Sequence, residues 1–419
     1  MPSGPAGGAG VHHWAAYAAV VGACEGMPVT FSGYRAVLAV PSVRGVLALS
    51  MLVRVPMFAS MIAVTLHVVG TLHQSYGMAG LLTAVSTVSI AVAGPWRGRL
   101  LDRIGLRRTL TPSLLVQAVC WSVAPFVGFW PLAVFFAVGG LLAVPTFPIV
   151  RQVLIANVPS DMRRTALALD SALTEVAYMA GPLIGVWAAT TFDTRLAFLA
   201  LEWASLIGAL ALWYLDPPLR HDDSEAAGGV GGVRSWMTTR AVVVLGAAGA
   251  TMFILGGVDV AVVAALRSMG HPTAIGWVLA GWGLGSMVGG LLYGAWHRAV
   301  PVFWLLLALG ALTVPVAWAT SLPAFAVLLL VGGALVAPSI TATVDTLSRV
   351  VPSTAMGEAM GWHGTAFTVG IAAGAPVGGF VIDHFGWAAG FAVTGAVGVV
   401  VGTLGLLGVR TRQRRPLPA

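Results

Sequence analysis

Lysine occurs nowhere in the 419 residues, and the net charge of +7 comes from 22 arginines set against 15 acidic side chains. Without lysine there is neither a GxxxxGK[ST] phosphate loop nor a Schiff-base amine, so ATP hydrolysis has no visible machinery. Charge of either sign is scarce: 9% of residues carry it, where a soluble domain has roughly a quarter. Two cysteines, Cys24 and Cys120, cannot make a disulfide framework. No group of His, Asp or Glu has metal-ligand spacing or clusters at one membrane face, so no enzyme, cofactor or metal is expected. The arginines sit in short links between apolar runs, where lipid headgroups and membrane orientation explain them better than nucleic acid does.

What the chain does have is hydrophobicity, with 58% apolar residues and a mean hydropathy of +0.90. Apolar stretches of about 20 residues, enough to cross a hydrocarbon core roughly 30 Å thick, recur after residue 45. Twelve spans are expected, at about 46–69, 77–96, 109–129, 131–157, 165–189 and 195–215, then 241–265, 273–296, 301–320, 323–347, 356–382 and 386–408. The Gly-rich polar stretch "DPPLRHDDSEAAGGVGGVRSWMTTR" separates two sets of six. The expected organisation is an N-terminal tail 1–44 with Met27 as an alternative start, a bundle 45–215, a linker 216–240, a bundle 241–408 and a tail 409–419. Eighteen arginines fall in the tails or in links after even-numbered spans, while Arg195 and Arg267 fall on the other side. That asymmetry predicts a multi-pass cell-membrane protein with both termini in the cytoplasm.

The halves repeat. "VPSDMRRTALALDSALTEVAYMAGPLIG" from residue 158 aligns without a gap on "VPSTAMGEAMGWHGTAFTVGIAAGAPVG" from residue 351, so that Gly181 meets Gly374 and Gly185 meets Gly378. "GLLTAVSTVSIAVAGPWRG" from Gly80 likewise matches "GWVLAGWGLGSMVGGLLYG" from Gly276, pairing Gly94 with Gly290 and Gly98 with Gly294. The fold class expected is an all-α membrane protein of twelve transmembrane helices in two six-helix bundles related by duplication.

Five arginines and one aspartate crowd into "GPWRGRLLDRIGLRRTL", residues 94–110, just after the second span. A topology signal explains the arginines but not the Gly-x-x-x-Asp spacing. The stretch resembles the signature loop of the major facilitator superfamily, G-x-x-x-D-[RK]-x-G-[RK]-[RK]-[RK], through Gly98, Asp102, Arg103, Gly105, Arg107 and Arg108. Leu106 departs from it. The resemblance implies two bundles rocking about a central cavity, with Asp102 meeting the amino end of the eleventh span and Arg107 or Arg108 pairing with Glu358. In the repeat, Arg298 stands in the place of Asp102, and Asp161 is expected to neutralise it. "EVAYMAGPLIG" in the fifth span is similar to a partial version of the family's antiporter motif through Gly181, Pro182 and Gly185. Ordinary helix packing by small residues, Gly374 and Gly378 included, is the competing explanation.

Ionisable residues inside a membrane need a partner or a function. Matching depths suggest two ion pairs, Arg54 with Glu175 and Arg151 with Asp170. Either acid is a candidate for proton exchange, with an arginine released to hold an anionic group when the acid is neutral. Asp259 has nothing basic at its depth, near the outer end of its span; it is a candidate for a proton or cationic substrate, with snorkelling to the outer surface as the alternative. His363 is a candidate relay or a hydrogen-bonded structural group. Glu202, near the outer interface, is expected to be solvated.

The expected function is secondary active transport by alternating access: efflux of small lipophilic or amphipathic molecules coupled to protons, by a protein working as a monomer in the lipid bilayer. A metabolite-uptake facilitator, and a non-transporting membrane enzyme or receptor, are the alternatives.

Overall fold

The computed structural model describes residues 32–219, 236–296 and 298–413. Most of the expected N-terminal tail, with Met27 and Cys24, most of the linker and the end of the C-terminal tail therefore lie outside the described residues. The regular elements are helices, and among the described residues they make twelve crossings. In the first half these are α2 (Pro41–Leu66), α3 (Tyr76–Val123), α4 with α5 (Phe129–Leu141 and Thr146–Asn157), α6 (Arg163–Thr191) and α7 (Thr194–Leu215). In the second they are α8 (Thr239–Ser268), α9 (Ile275–Ala295), α10 (Val302–Thr313), α11 with α12 (Leu322–Gly333 and Val336–Val350), α13 (Met356–Phe385) and α14 (Trp387–Gln413). A short helix α1 (Ser32–Ala39) precedes them.

Three local features depart from the expected spans, each for a backbone reason. The presumed loop at 97–108 is helical, and α3 carries both the second and third crossings, folded back at one non-helical residue, Gly105 (φ 79°, ψ 176°). Such a φ is costly for any residue with a Cβ. The fourth and tenth crossings are each broken midway. Pro145 and Pro338 lack an N–H and clash with the carbonyl four residues back, so α4 stops at Leu141 and α11 at Gly333. The tail up to residue 44 is not all tail, because α1 and the start of α2 occupy residues 32–44.

Small residues set the packing within each half. A Cβ on Gly185 would land on the Ala59 carbonyl and one on Gly181 on Phe58, so α6 lies directly against α2. In the repeat, Gly374 and Gly378 press on Phe253 and Gly257, so α13 lies against α8 in the same way. This is the close approach that lipid-embedded helices use in place of a hydrophobic driving force.

The apolar core is distributed unevenly. Towards the arginine-rich end, a single cluster joins Leu101, Leu106, Ile149 and Val153 of the first half to Val344, Leu347, Met356 and Met360 of the second. Towards the opposite end, the clusters around Leu82, Trp121, Phe129 and Phe198 and around Ile254, Phe325 and Phe391 belong to one half each. The halves are therefore sealed together at the arginine-rich end.

Candidate functional site

Among the described residues, two of the contacts that join the halves at that end occupy equivalent positions in the repeat. In the first, α3 and α13 approach so closely that a Cβ on Gly98 would fall on the Gly357 carbonyl. Asp102, one helical turn beyond Gly98 and 4% exposed, then reaches the first turn of α13. Its Oδ1 accepts from the Gly357 amide and its Oδ2 from the Glu358 amide, each at 2.8 Å. A carboxylate there satisfies two orphan donors and lies at the positive end of the helix dipole. Gln152 Nε2 of α5 donates to the same Oδ1 at 2.9 Å and fixes the carboxylate from behind.

The expected partner for Glu358 is corrected. Arg99, not Arg107 or Arg108, pairs with its Oε1 at 2.5 Å. Arg99 precedes Asp102 by three residues and so shares its helix face, which is the signal that would have found it. Trp236 of the linker, 1% exposed, donates to Oε2 at 3.4 Å. Arg107 instead serves the first half alone, holding the Trp213 and Tyr214 carbonyls and Asp216 at the end of α7. Arg103 and Arg108 are exposed. Leu106, the departure from the signature, is 3% exposed in the core, where a guanidinium would be buried.

In the second contact, the expected pairing of Arg298 with Asp161 is absent among the described residues; both are exposed. The residues of α6 equivalent to Gly357 and Glu358 are Arg164 and Thr165. Arg164 donates to the Trp296 carbonyl and Thr165 Oγ1 to the Gly294 carbonyl at 2.6 Å. Tyr34 of α1 adds a bond to the Leu291 carbonyl at 2.6 Å. Here the carboxyl end of α9 is capped, by donors, where cations and hydroxyls belong.

Deeper in, Arg54, Arg151 and Asp170 form a buried network. Arg54 Nη1 donates to Asp170 Oδ1 at 2.6 Å and to Thr174 at 2.9 Å, and Arg151 Nε lies 3.8 Å from Asp170 Oδ2. The expected Arg54–Glu175 pair is therefore wrong: Glu175 lies more than one helical turn beyond Asp170 on α6, and Arg54 bonds the acid nearer the arginine-rich end. The expected Arg151–Asp170 pair is present. Phe147 lies under both guanidiniums, 4.3 Å from Arg54 and 5.8 Å from Arg151. His363, equivalent to Asp170 in the repeat, meets Arg151 Nη1 through Nδ1 at 3.2 Å and Thr343 through Nε2 at 2.9 Å. Because a guanidinium only donates, Nδ1 is the accepting nitrogen.

Glu175, freed of Arg54, crosses between the halves and accepts from Ser286 of α9 at 2.7 Å. Asp259 of α8 and Tyr178 lie within electrostatic reach of it. Neither acid has a cationic partner among the described residues. Glu202 is half-buried and hydrogen-bonded by Ser60, not solvated as expected.

Two repeats of six helices, closed together at one end by polar caps, are the build of a multi-pass membrane transporter. The family model described as Major Facilitator Superfamily matches residues 46–266 and 244–419, and the chain belongs to that superfamily. Among curated proteins, it is 25% identical over 146 residues to "Multidrug resistance protein MdtG" of Serratia proteamaculans (strain 568), covering 35% of this chain and 36% of that protein. It is 32% identical over 113 residues to "Probable multidrug resistance protein EmrY" of Escherichia coli (strain K12), covering 27% and 22%. The chain thus spans about a third or less of the length of these relatives. Among solved structures, a bacterial homologue of the iron transporter ferroportin in an outward-facing state has a TM-score of 0.71 at 12% identity, over 89% of this chain and 100% of that one. At that identity the likeness is one of fold.

Proposed function

We propose that the protein is a secondary active transporter that works by alternating access and exports small lipophilic or amphipathic molecules in exchange for protons. The observation that carries this reading is the Asp102 cap: a charge-assisted closure between two repeats, made by amides and a carboxylate that water can satisfy equally well once parted. Charged hydrogen bonds contribute about 1.5–3 kcal/mol each, a scale suited to an equilibrium that must reverse in every cycle. With the arginine-rich end cytoplasmic, as positive residues favour, the conformation described is closed towards the cytoplasm. Glu175 and Asp259 supply carboxyl groups within the membrane, from opposite halves and without cations, which suits proton uptake and release. The export direction draws on the names of the MdtG and EmrY relatives and on a bundle interior with few fixed charges.

Inverted vesicles carrying the protein, with an acidic lumen so that protons run outward against dye uptake, test all three elements. Accumulation of a lipophilic dye that collapses with the gradient and is lost in Glu175→Gln is expected. Dye accumulation that ignores the gradient would remove the coupling, and accumulation only in right-side-out vesicles would make the protein an importer.

A further inference from the structure

The Arg54–Asp170–Arg151 network holds two guanidiniums and one carboxylate, and the group that completes it, His363, is never an anion. One positive charge is thus uncompensated among the described residues, at a depth of about seven to thirteen residues, or roughly 10–20 Å, from the arginine-rich end. Arg54 is fully buried, yet its Nε and Nη2 have no hydrogen-bond partner. Those two nitrogens form one edge of the guanidinium, the fork that grips both oxygens of a carboxylate. Aromatic rings flank the arginines from both halves: Phe147 from the first, and Phe367, 5.5 Å from Arg151, from the second. Charge excess, a vacant bidentate fork and aromatic walls define a site for an anionic group on an apolar body.

Accepting the transporter reading, we propose that Arg54 and Arg151 bind the anionic group of the transported molecule, an amphipathic organic anion such as an aromatic carboxylate. Asp170 is its intramolecular competitor. The site is closed in the conformation described, since Arg54 is 0% and Arg151 7% exposed. His363 comes from the opposite half, so parting of the halves at the arginine-rich end withdraws it from Arg151 and opens the arginines to that side. Closing returns His363 to Arg151 and leaves Asp170 to displace the substrate anion. Asp170 thus sets how tightly the anion is held, while the proton exchanged in transport stays with Glu175 and Asp259.

The test uses three probes with one ring system, 1-naphthoate, 1-naphthamide and 1-naphthylmethylammonium, binding to the purified full-length protein and to its Asp102→Asn variant, which is easier to open. Naphthoate should bind at least about ten-fold more tightly than the amide, and the ammonium more weakly than either. Asp170→Asn should tighten naphthoate several-fold and leave the amide unchanged, while Arg54→Gln and Arg151→Gln should erase the naphthoate preference. If an arginine variant fails to fold, the wild-type preference and the Asp170→Asn shift decide. Equal binding of the three probes, an ammonium preference, or looser naphthoate binding in Asp170→Asn overturns the proposal. Gradient-driven transport of a neutral dye in the same preparation separates the outcomes: if it persists while naphthoate selectivity is absent, the anion site is wrong and the transporter reading stands. If neither is seen, that reading fails too.

Discussion

The two seals at the arginine-rich end descend from the same pair of positions and solve the same problem with opposite polarity. Between α3 and α13, an acid on the helix corner accepts from backbone amides, and bare glycines let two backbones touch. Between α9 and α6, the equivalents of Gly357 and Glu358 are Arg164 and Thr165, which donate to carbonyls, and Tyr34 fills the space beside Gly294. Helix polarity explains the difference. The first seal addresses the amino end of α13 and the second the carboxyl end of α9, and each end accepts charge of only one sign. Duplication therefore conserved where the halves touch and not which chemistry closes them. It also explains why Arg298 needs no neutralising partner: the residue that replaced Asp102 has left the interface, and its task passed to α6 and α1.

The comparison can be broken by substitutions read as the distance between spin labels on Arg103→Cys and Ser353→Cys, in a protein whose Cys24 and Cys120 are replaced, together with transport. Gly98→Leu should have the largest effect, holding the halves apart and taking transport to background, because a side chain there meets the Gly357 carbonyl. Asp102→Asn keeps the shape but loses the charge-assisted acceptor, and should shift the open/closed ratio by about 2 kcal/mol, roughly thirty-fold. Arg164→Gln should shift it by about 1–2 kcal/mol in the same direction. Thr165→Val and Tyr34→Phe should each cost about 0.5–1.5 kcal/mol, the range of a neutral hydrogen bond. Smallest of all, Arg298→Asp should change the ratio by less than roughly 0.5 kcal/mol, as for an exposed side chain away from any contact. If Arg298→Asp instead rivals Asp102→Asn, the two seals are alike and the contrast drawn between them is wrong.

The helical architecture was legible because span length and arginine asymmetry are one-dimensional signals, and the glycine register survived duplication well enough to align. Asp102 and its target were legible for the same reason, through motif spacing. Partner choice was not. Depth counting placed Arg54 opposite Glu175, but depth leaves the rotational setting of a helix open, and one turn of α6 decided for Asp170. The arginine that pairs with Glu358 is not legible in sequence, where the charged 97–108 segment reads as a loop; as a helix, it puts Arg99 on the face of Asp102 and turns Arg107 away. Gln152 and Trp236 carried no motif, and become visible only when α5 and the linker are brought beside the signature. Pro145 and Pro338 were present to be read, but a long apolar run masks a break within it.

The corner at Gly105 has a kinetic consequence. Only one residue departs from helical geometry between the second and third crossings, so the bend has two soft torsions where an ordinary connection has many. Asp102 stands three residues before that bend, and Leu106 anchors the residue after it in the core. The carboxylate is thus mounted on a stiff bracket whose ordering entropy was settled on folding. Closing this seal requires no disordered segment to find its place. In the alternating-access cycle proposed, its rate is set by the rocking of whole helix bundles, a collective motion of microseconds to milliseconds, and the catch engages as soon as the halves arrive.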